Sequence, residues 1–273
     1  MPLIALASIK ASPGVTTTAL ALAAAWPAQD RLLLETDPGG GDLGPWLGLP
    51  PAPGLVGLAA AGRHNHDGGT VWDHAQQIAD GLRVVVAPVG AEQASACLAT
   101  LAATAITGPP GRDAAVVIAD CGRMDPGSPA LPVAAHADLT LVVVRPLVSE
   151  LSHLAPRIAG LSRAGLRLGL LLAPTAGHVP TEPAYAAREI TATLDLPVHA
   201  SIPADPRAAA HLIASRGDLG KAARRRPLLR TARVLAAGLA GQVTRPPSSP
   251  QPDDTQPDRD DTPAEVIAGE QHS

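Results

Sequence analysis

The sequence predicts a doubly wound α/β domain, a mainly parallel sheet with helices on both faces. Two observations carry this reading. Seven short runs rich in Leu, Val, Ile and Ala are mostly continuous apolar stretches, without the in/out alternation of a half-solvated strand. Between them lie longer, Ala-rich stretches of helical length, and strands alternating with such helices build right-handed crossovers in a parallel sheet. A chain of 273 residues is long enough to bury the core that this architecture requires.

The elements follow in order. Leu3–Ile9 is the first strand. Its apolar start has neither a basic segment before it nor a longer apolar stretch behind it, so it reads as a buried strand rather than a leader. A helix is expected over Thr17–Trp26, then strands over Arg31–Glu35 and Leu82–Ala87. A helix over Ala91–Ala105 precedes strands at Ala115–Asp120 and Leu139–Val144. The remainder reads as helix Ser149–Ala164, strand Leu168–Ala173, helix Pro183–Leu194, strand Val198–Ile202, and helices Pro206–Ser215 and Leu228–Gln242. These elements place one folded domain in residues 1–244. Residues 245–273, RPPSSPQPDDTQPDRDDTPAEVIAGEQHS, carry seven acids, two arginines and little apolar content. They bury too little to offset their ordering entropy, which predicts a disordered, acidic, Pro-rich tail.

Composition removes several classes of function. The net charge of −4 excludes a polycationic coat for nucleic acid, and four aromatic residues, with no Phe, exclude a base-stacking platform. Cys97 and Cys121 offer neither a disulfide framework nor a zinc spacing, which suits a reducing, cytoplasmic setting. No apolar run is long enough to span a membrane. The chain has 19 arginines and only two lysines, Lys10 and Lys221, which gives weight to where those two stand.

Three strand ends carry the chemistry, since ligands of open parallel sheets bind there. After the first strand comes Lys10-Ala11-Ser12-Pro13-Gly14-Val15-Thr16-Thr17-Thr18, a small-residue loop entering an Ala-rich helix. Backbone N–H groups at such a helix start face an anion, and Gly14 lets the chain come close. The second strand ends in Glu35-Thr36-Asp37-Pro38-Gly39-Gly40-Gly41-Asp42-Leu43, whose glycines suit a mobile loop closing over a ligand. The run from Ala115 ends in Asp120, where a carboxylate orders the water shell of a metal ion.

The loop K-A-S-P-G-V-T-T resembles the deviant phosphate loop of the MinD/ParA family of P-loop NTPases, K-G-G-x-G-K-T-T, position by position. The resemblance extends to the D-x-D-P-x-x-x-x-L switch segment, here begun by Glu35, and to the aspartate-ended strand at Asp120. Further junctions at Leu139–Pro146 and Ser201–Pro206 carry it over roughly residues 1–240. It implies a P-loop NTPase fold, ATP and Mg²⁺ as ligands, a nucleotide-sandwich homodimer, and a partner in chromosome partitioning, cell division or an envelope apparatus. By the same resemblance Lys10, Ser12, Gly14, Val15, Thr16 and Thr17 contact nucleotide, and Thr16, Asp37 and Asp120 serve Mg²⁺. Lys10, Glu35 and Asp37 are the implied catalytic residues: Lys10 reaching across the dimer, Glu35 positioning the attacking water, Asp37 supporting the metal shell.

The departures are as informative. Ala11 and Ser12 replace glycines, Ala173 stands where the family places an adenine-reading Asn, and Val15 occupies the position of the phosphate-binding lysine. Losing one charge-assisted hydrogen bond costs ~1.5–3 kcal/mol, about one to two decades in affinity. The cost to phosphoryl transfer is larger, because charge stabilisation does most of that work. The expectation is a divergent member that binds ATP weakly and organises or assembles other components with little turnover. An active ATPase using Lys10 in trans is one alternative. Another is a nucleotide-free interaction module working through its acidic tail and a basic helix. That cluster, Lys221, Arg224, Arg225, Arg226, Arg230 and Arg233, suits DNA phosphates, anionic lipid or an acidic partner. His64, His66, Asp67 and His74 lack metal-ligand spacing and read as a solvated loop, and Cys121 as a packed side chain.

Overall fold

A computed structural model describes residues 1–64, 71–101, 106, 115–175 and 183–243 of the chain. The expected tail, 245–273, lies outside the described residues, as do His66 and Asp67. Eight strands form one sheet: β1 (Leu3–Ser8), β2 (Arg31–Glu35), β3 (Gln76–Ala79), β4 (Leu82–Val85), β5 (Val116–Arg123), β6 (Leu139–Val144), β7 (Leu168–Leu172) and β8 (Val198–Ser201). Their order is β3-β4-β2-β5-β1-β6-β7-β8, parallel throughout except for β3, which runs antiparallel to β4 at one edge. The chain leaves the central β1 toward β2 on one side and later fills β6, β7 and β8 on the other. The strand order therefore switches direction at β1, which puts a crevice at its carboxyl end.

Nine helices are described: α1 (Val15–Ala25), α2 (Leu43–Leu47), α3 (Leu55–His64), α4 (Ala91–Thr100), α5 (Leu131–Ala135), α6 (Val148–Arg163), α7 (Ala187–Leu194), α8 (Pro206–Ala214) and α9 (Pro227–Val243). The pleat sorts side chains between two cores. Ile4, Leu6, Leu33 and Ile118 face α1, α2, α8 and α9, while Leu3, Ala5, Leu34 and Val117 face α3 to α7. This two-faced covering is the predicted double winding. Alanine is what lets α1 work. Nine of its eleven residues are buried, and a helix covered almost all round packs closely on the sheet and on α9 only with small side chains.

Each predicted strand is present. The sequence reading missed β3, and it missed α2, α3 and α5, whose LGPWL, LVGLAAAGRH and LPVAA segments carry Gly or Pro where a strong helix signal needs neither. Two helix boundaries move. α4 stops at Thr100, because Leu101 turns to extended backbone, and α7 begins at Ala187 rather than Pro183. Most consequential for the site, β5 does not end at Asp120 but runs on through Cys121 and Gly122 to Arg123.

Candidate functional site

β1 pairs with β5 in register from Leu3↔Val117 to Leu6↔Asp120, and an irregularity then brings Ser8 opposite Arg123. The chain leaves the sheet there, turns through Ala11 at φ 57° and Gly14 at φ 91°, and enters α1 at Val15. Nothing stands near a Cβ built at Gly14, so its requirement is the left-handed backbone rather than space. Ala11 holds a left-handed conformation without being glycine, keeping the shape of the loop at some cost in strain. Both the backbone N–H and the hydroxyl of Thr18 donate to the Gly14 carbonyl, at 3.0 and 2.8 Å, and lock the first turn.

A cleft of ≈ 280 Å³ opens over this turn. Ser8, Ser12, Gly14, Val15, Thr16 and Thr17 line it from the loop and α1; Asp37, Asp42 and Trp46 from the chain after β2; Gly122 and Arg123 from β5. The structure thus gathers Ser12, Gly14, Val15, Thr16, Thr17 and Asp37 of the expected site around one space. Val15 borders it, but its side chain is buried and belongs to the core beneath α1. Lys10 is exposed and does not line the cleft.

Asp120 lies fully buried at the back. One oxygen accepts from the Gly122 N–H at 3.1 Å; the other, Oδ2, has no hydrogen-bond partner. Burial raises its pKa to about 6; the Thr16 hydroxyl and the Gly122 N–H oppose the rise, and the charges of Asp37 and Asp42 add to it. Burial also raises Asp37, against the Gly39 N–H that donates to it at 2.7 Å, with Asp42 adding. Asp37 sits tightly on β5: a Cβ at Gly122, itself at φ 55°, would fall 2.0 Å from its carboxyl group. The hydroxyl of Ser8, buried and facing the cleft, is likewise without a partner. A buried polar atom left unpaired is costly, so the Ser8 hydroxyl marks the cleft lining as a surface able to take a ligand; Asp120, two residues before Gly122 on β5, is not itself among the lining residues.

An orphaned carboxylate oxygen beside a threonine hydroxyl fits Mg²⁺, which keeps several waters and takes only one or two protein groups. It needs no dense ligand cluster. Indeed no group of three or more His, Cys, Asp or Glu is arranged to hold an ion among the described residues.

Glu35 is placed differently. It is buried outside the cleft lining, and backbone groups occupy both of its oxygens. Oε1 accepts from Asp42 and Leu43 at 2.7 and 2.8 Å, and Oε2 from Ala87 at 2.8 Å. The carboxylate therefore ties the start of α2 and the chain just past β4 to β2, with Glu35 set back from the cleft lining where the expected water-positioning role would act. Two of the three glycines likewise answer to packing. A Cβ at Gly40 would lie 2.1 Å from the Val89 carbonyl oxygen, and one at Gly41 would lie 2.5 Å from both the Ala87 oxygen and Glu35 Oε2.

Arg123, Trp46, Asp42 and Ser8 went unforeseen at this site. Arg123 had a signal: with valine at position 15 of the loop, a cation on a neighbouring strand end was worth seeking, and the DCGR segment holds one. Elsewhere, Cys121 is buried and its thiol is pushed up to about 12 by burial, the state of a packed rather than a reactive cysteine. Of the basic cluster, Lys221, Arg224 and Arg225 are exposed, but Arg226 is held by Asp205 through Nε at 3.0 Å and Nη2 at 2.5 Å. Burial alone would raise Asp205; Arg226 and the Ala208 N–H keep it below the usual carboxylate range. Arg226 is thus a tie to the N-terminus of α8 rather than a free partner for phosphates. No described helix is long and apolar enough to cross a membrane.

A strand, a left-handed glycine turn and a helix start, with an aspartate on the adjacent strand, are the elements that a P-loop fold gathers at its phosphate site. No family model matches the chain, and no curated protein matches its sequence. Solved structures match its fold, which is that of the MinD/ParA-like proteins. The cell division ATPase MinD of Pyrococcus furiosus is 19% identical with a TM-score of 0.68, over 88% of this chain and 99% of that one. A ParA family ATPase of Chlorobium tepidum is 18% identical, TM-score 0.65, over 86% and 98%. The septum site-determining protein MinD of Pyrococcus horikoshii, complexed with Mg-ADP, is 18% identical, TM-score 0.64, over 89% and 97%. At these identities the likeness is one of fold.

Proposed function

We propose that the protein is a divergent MinD/ParA-like factor that binds ATP weakly with Mg²⁺ and organises or assembles a partner, with little or no turnover. The observation that carries this is the composition of the cleft. It keeps the left-handed Gly14 turn, the Thr16 hydroxyl and an orphaned Asp120 oxygen, yet puts a buried valine where a lysine would grip phosphate. On this reading the N–H groups from Gly14 to Thr17 and their hydroxyls receive the phosphates at the positive end of α1. Thr16, Asp37 and Asp120 hold Mg²⁺ and its waters, and bound Mg²⁺ neutralises phosphate charge. Glu35 acts at one remove, fixing the segment that carries Asp37 and Trp46. Neighbours of the same fold include a cell division ATPase and a putative plasmid partition protein, which supports a role in spatial organisation.

Calorimetric titration with ATP and ADP, with and without Mg²⁺, tests this. The wild type binds weakly and only with Mg²⁺, and Val15→Lys tightens binding by about one to two decades. No binding at millimolar nucleotide overturns the proposal and leaves an interaction module acting through Lys221, Arg224 and Arg225. One observation favours a second reading. Lys10 is exposed and is not among the residues that line its own cleft, which leaves it available to the partner of a homodimer. Appreciable ATP turnover lost in Lys10→Ala would establish that reading, and unchanged turnover would remove it.

A further inference from the structure

We propose that Arg123 is the phosphate-gripping cation of the cleft, supplying in cis the charge that Val15 does not; this rests on the nucleotide reading above. The ionisable residues that line the cleft are Asp37, Asp42 and Arg123, with Asp120 buried behind them. A polyphosphate seated at the start of α1 therefore meets three carboxylates and one cation. Mg²⁺ answers the carboxylates, and Arg123 is the lining group able to answer phosphate directly.

Its position suits that task. β5 continues beyond Asp120, and the shifted register with β1 sets Arg123 beside Ser8, at the foot of the phosphate loop. The residue stands on a strand rather than a free loop, which fixes where its fork begins. The guanidinium is tied at one point, Nε to Asp125 Oδ1 at 3.0 Å, and both side chains are about half exposed, at 53% and 56%. Exposed pairs of this kind are weak, and they give way readily to a doubly charged partner. A planar guanidinium meets phosphate through two parallel N–H bonds, a geometry no lysine offers.

Two neighbours support the assignment. The orphaned Ser8 hydroxyl, buried and opening on the same cleft, offers a second donor next to Arg123. Arg123 also borders an adjoining depression of ≈ 430 Å³ that contains Asp125 and Ser128. Arg123 and Asp37 are the residues that line both spaces. The Arg123 side chain swings from Asp125 on one side to phosphate on the other.

Titration calorimetry on the full chain with Mg-ATP, Mg-ADP and AMP tests this. Arg123→Ala weakens Mg-ATP and Mg-ADP by about ten- to hundredfold, while AMP changes little. Asp125→Asn, which frees the guanidinium, tightens Mg-ATP a few-fold, and Arg123→Lys keeps part of the affinity. Wild-type affinity in Arg123→Ala overturns the role of Arg123 and leaves the nucleotide reading standing. No binding of any nucleotide by the wild type overturns both. Thermal unfolding shows whether Arg123→Ala is folded. Should it not be, Asp125→Asn and Arg123→Lys decide, and Mg-ATP affinities identical to wild type in both variants overturn the proposal.

Discussion

Glu35, at the carboxyl end of β2, is the register partner of Asp120 on β5, and both are buried. In sequence they look alike, each an acid closing an apolar strand beside a Gly-bearing loop. In the structure they do opposite work. Glu35 accepts three backbone N–H bonds and joins three segments of chain, whereas Asp120 accepts one and leaves Oδ2 bare beside Thr16. The difference shows that burial and position do not separate a clamp from a ligand-facing group; an accounting of hydrogen bonds does. A carboxylate that already accepts three backbone N–H bonds has one acceptor site left to offer a ligand.

The contrast breaks most directly at Glu35. Glu35→Ala strands three buried N–H groups, and unfolding in urea should show a loss of about 3–5 kcal/mol. A loss below about 1 kcal/mol would mean that the clamp holds nothing. Gly41→Ala attacks the same clamp from outside, because its Cβ would collide with a backbone oxygen and with Glu35 itself. A cost of about 2–3 kcal/mol is expected, with no lasting effect on nucleotide affinity once the protein is folded.

A pH series sharpens the comparison. Burial raises both acids above their ordinary values, Glu35 from 4.5 to about 7 and Asp120 from 3.8 to about 6. A raised acid gives its full stability below its ordinary value and loses it as pH rises through the shifted one. The thermal midpoint should therefore fall between about pH 4 and about pH 7, and fall less steeply in Asp120→Asn. A midpoint that rises over that interval would remove the argument for two desolvated carboxylates.

Smallest in stability and largest in function is Asp120→Asn at neutral pH. Replacing an unpaired buried charge by an amide should shift stability by less than about 1 kcal/mol in either direction. The same change should abolish the Mg²⁺ dependence of nucleotide binding. If stability falls as far as in Glu35→Ala, Asp120 is a second clamp and the contrast fails.

The parallel sheet was legible because continuous apolar runs such as LTLVVV admit few other readings. β3 was not, since the half-buried QQIA acquires its strand geometry only by pairing with β4. Most of the cleft was legible too, because a phosphate loop is a contiguous segment and Thr16 follows Gly14 in the chain. The role of Glu35 was hidden for the converse reason. Its partners are set by tertiary packing, and Ala87 stands 52 residues away. Arg123 was hidden by a boundary: a strand expected to stop at Asp120 has no reason to deliver a side chain three residues later.

The chain has three tryptophans, and the two at positions 26 and 72 are buried in the cores. Trp46 alone borders the cleft, carried on the short helix whose first N–H groups Glu35 holds. With no Phe, one Tyr and two indoles shielded from solvent, the variable part of the protein's ultraviolet emission belongs to a single ring at the mouth of the site. A ligand or a metal ion arriving there alters the water and charge around that ring. The clamp thus does more than brace a loop: it mounts an optical gauge at the cleft, one that reports occupancy without a dye, a label or a second protein.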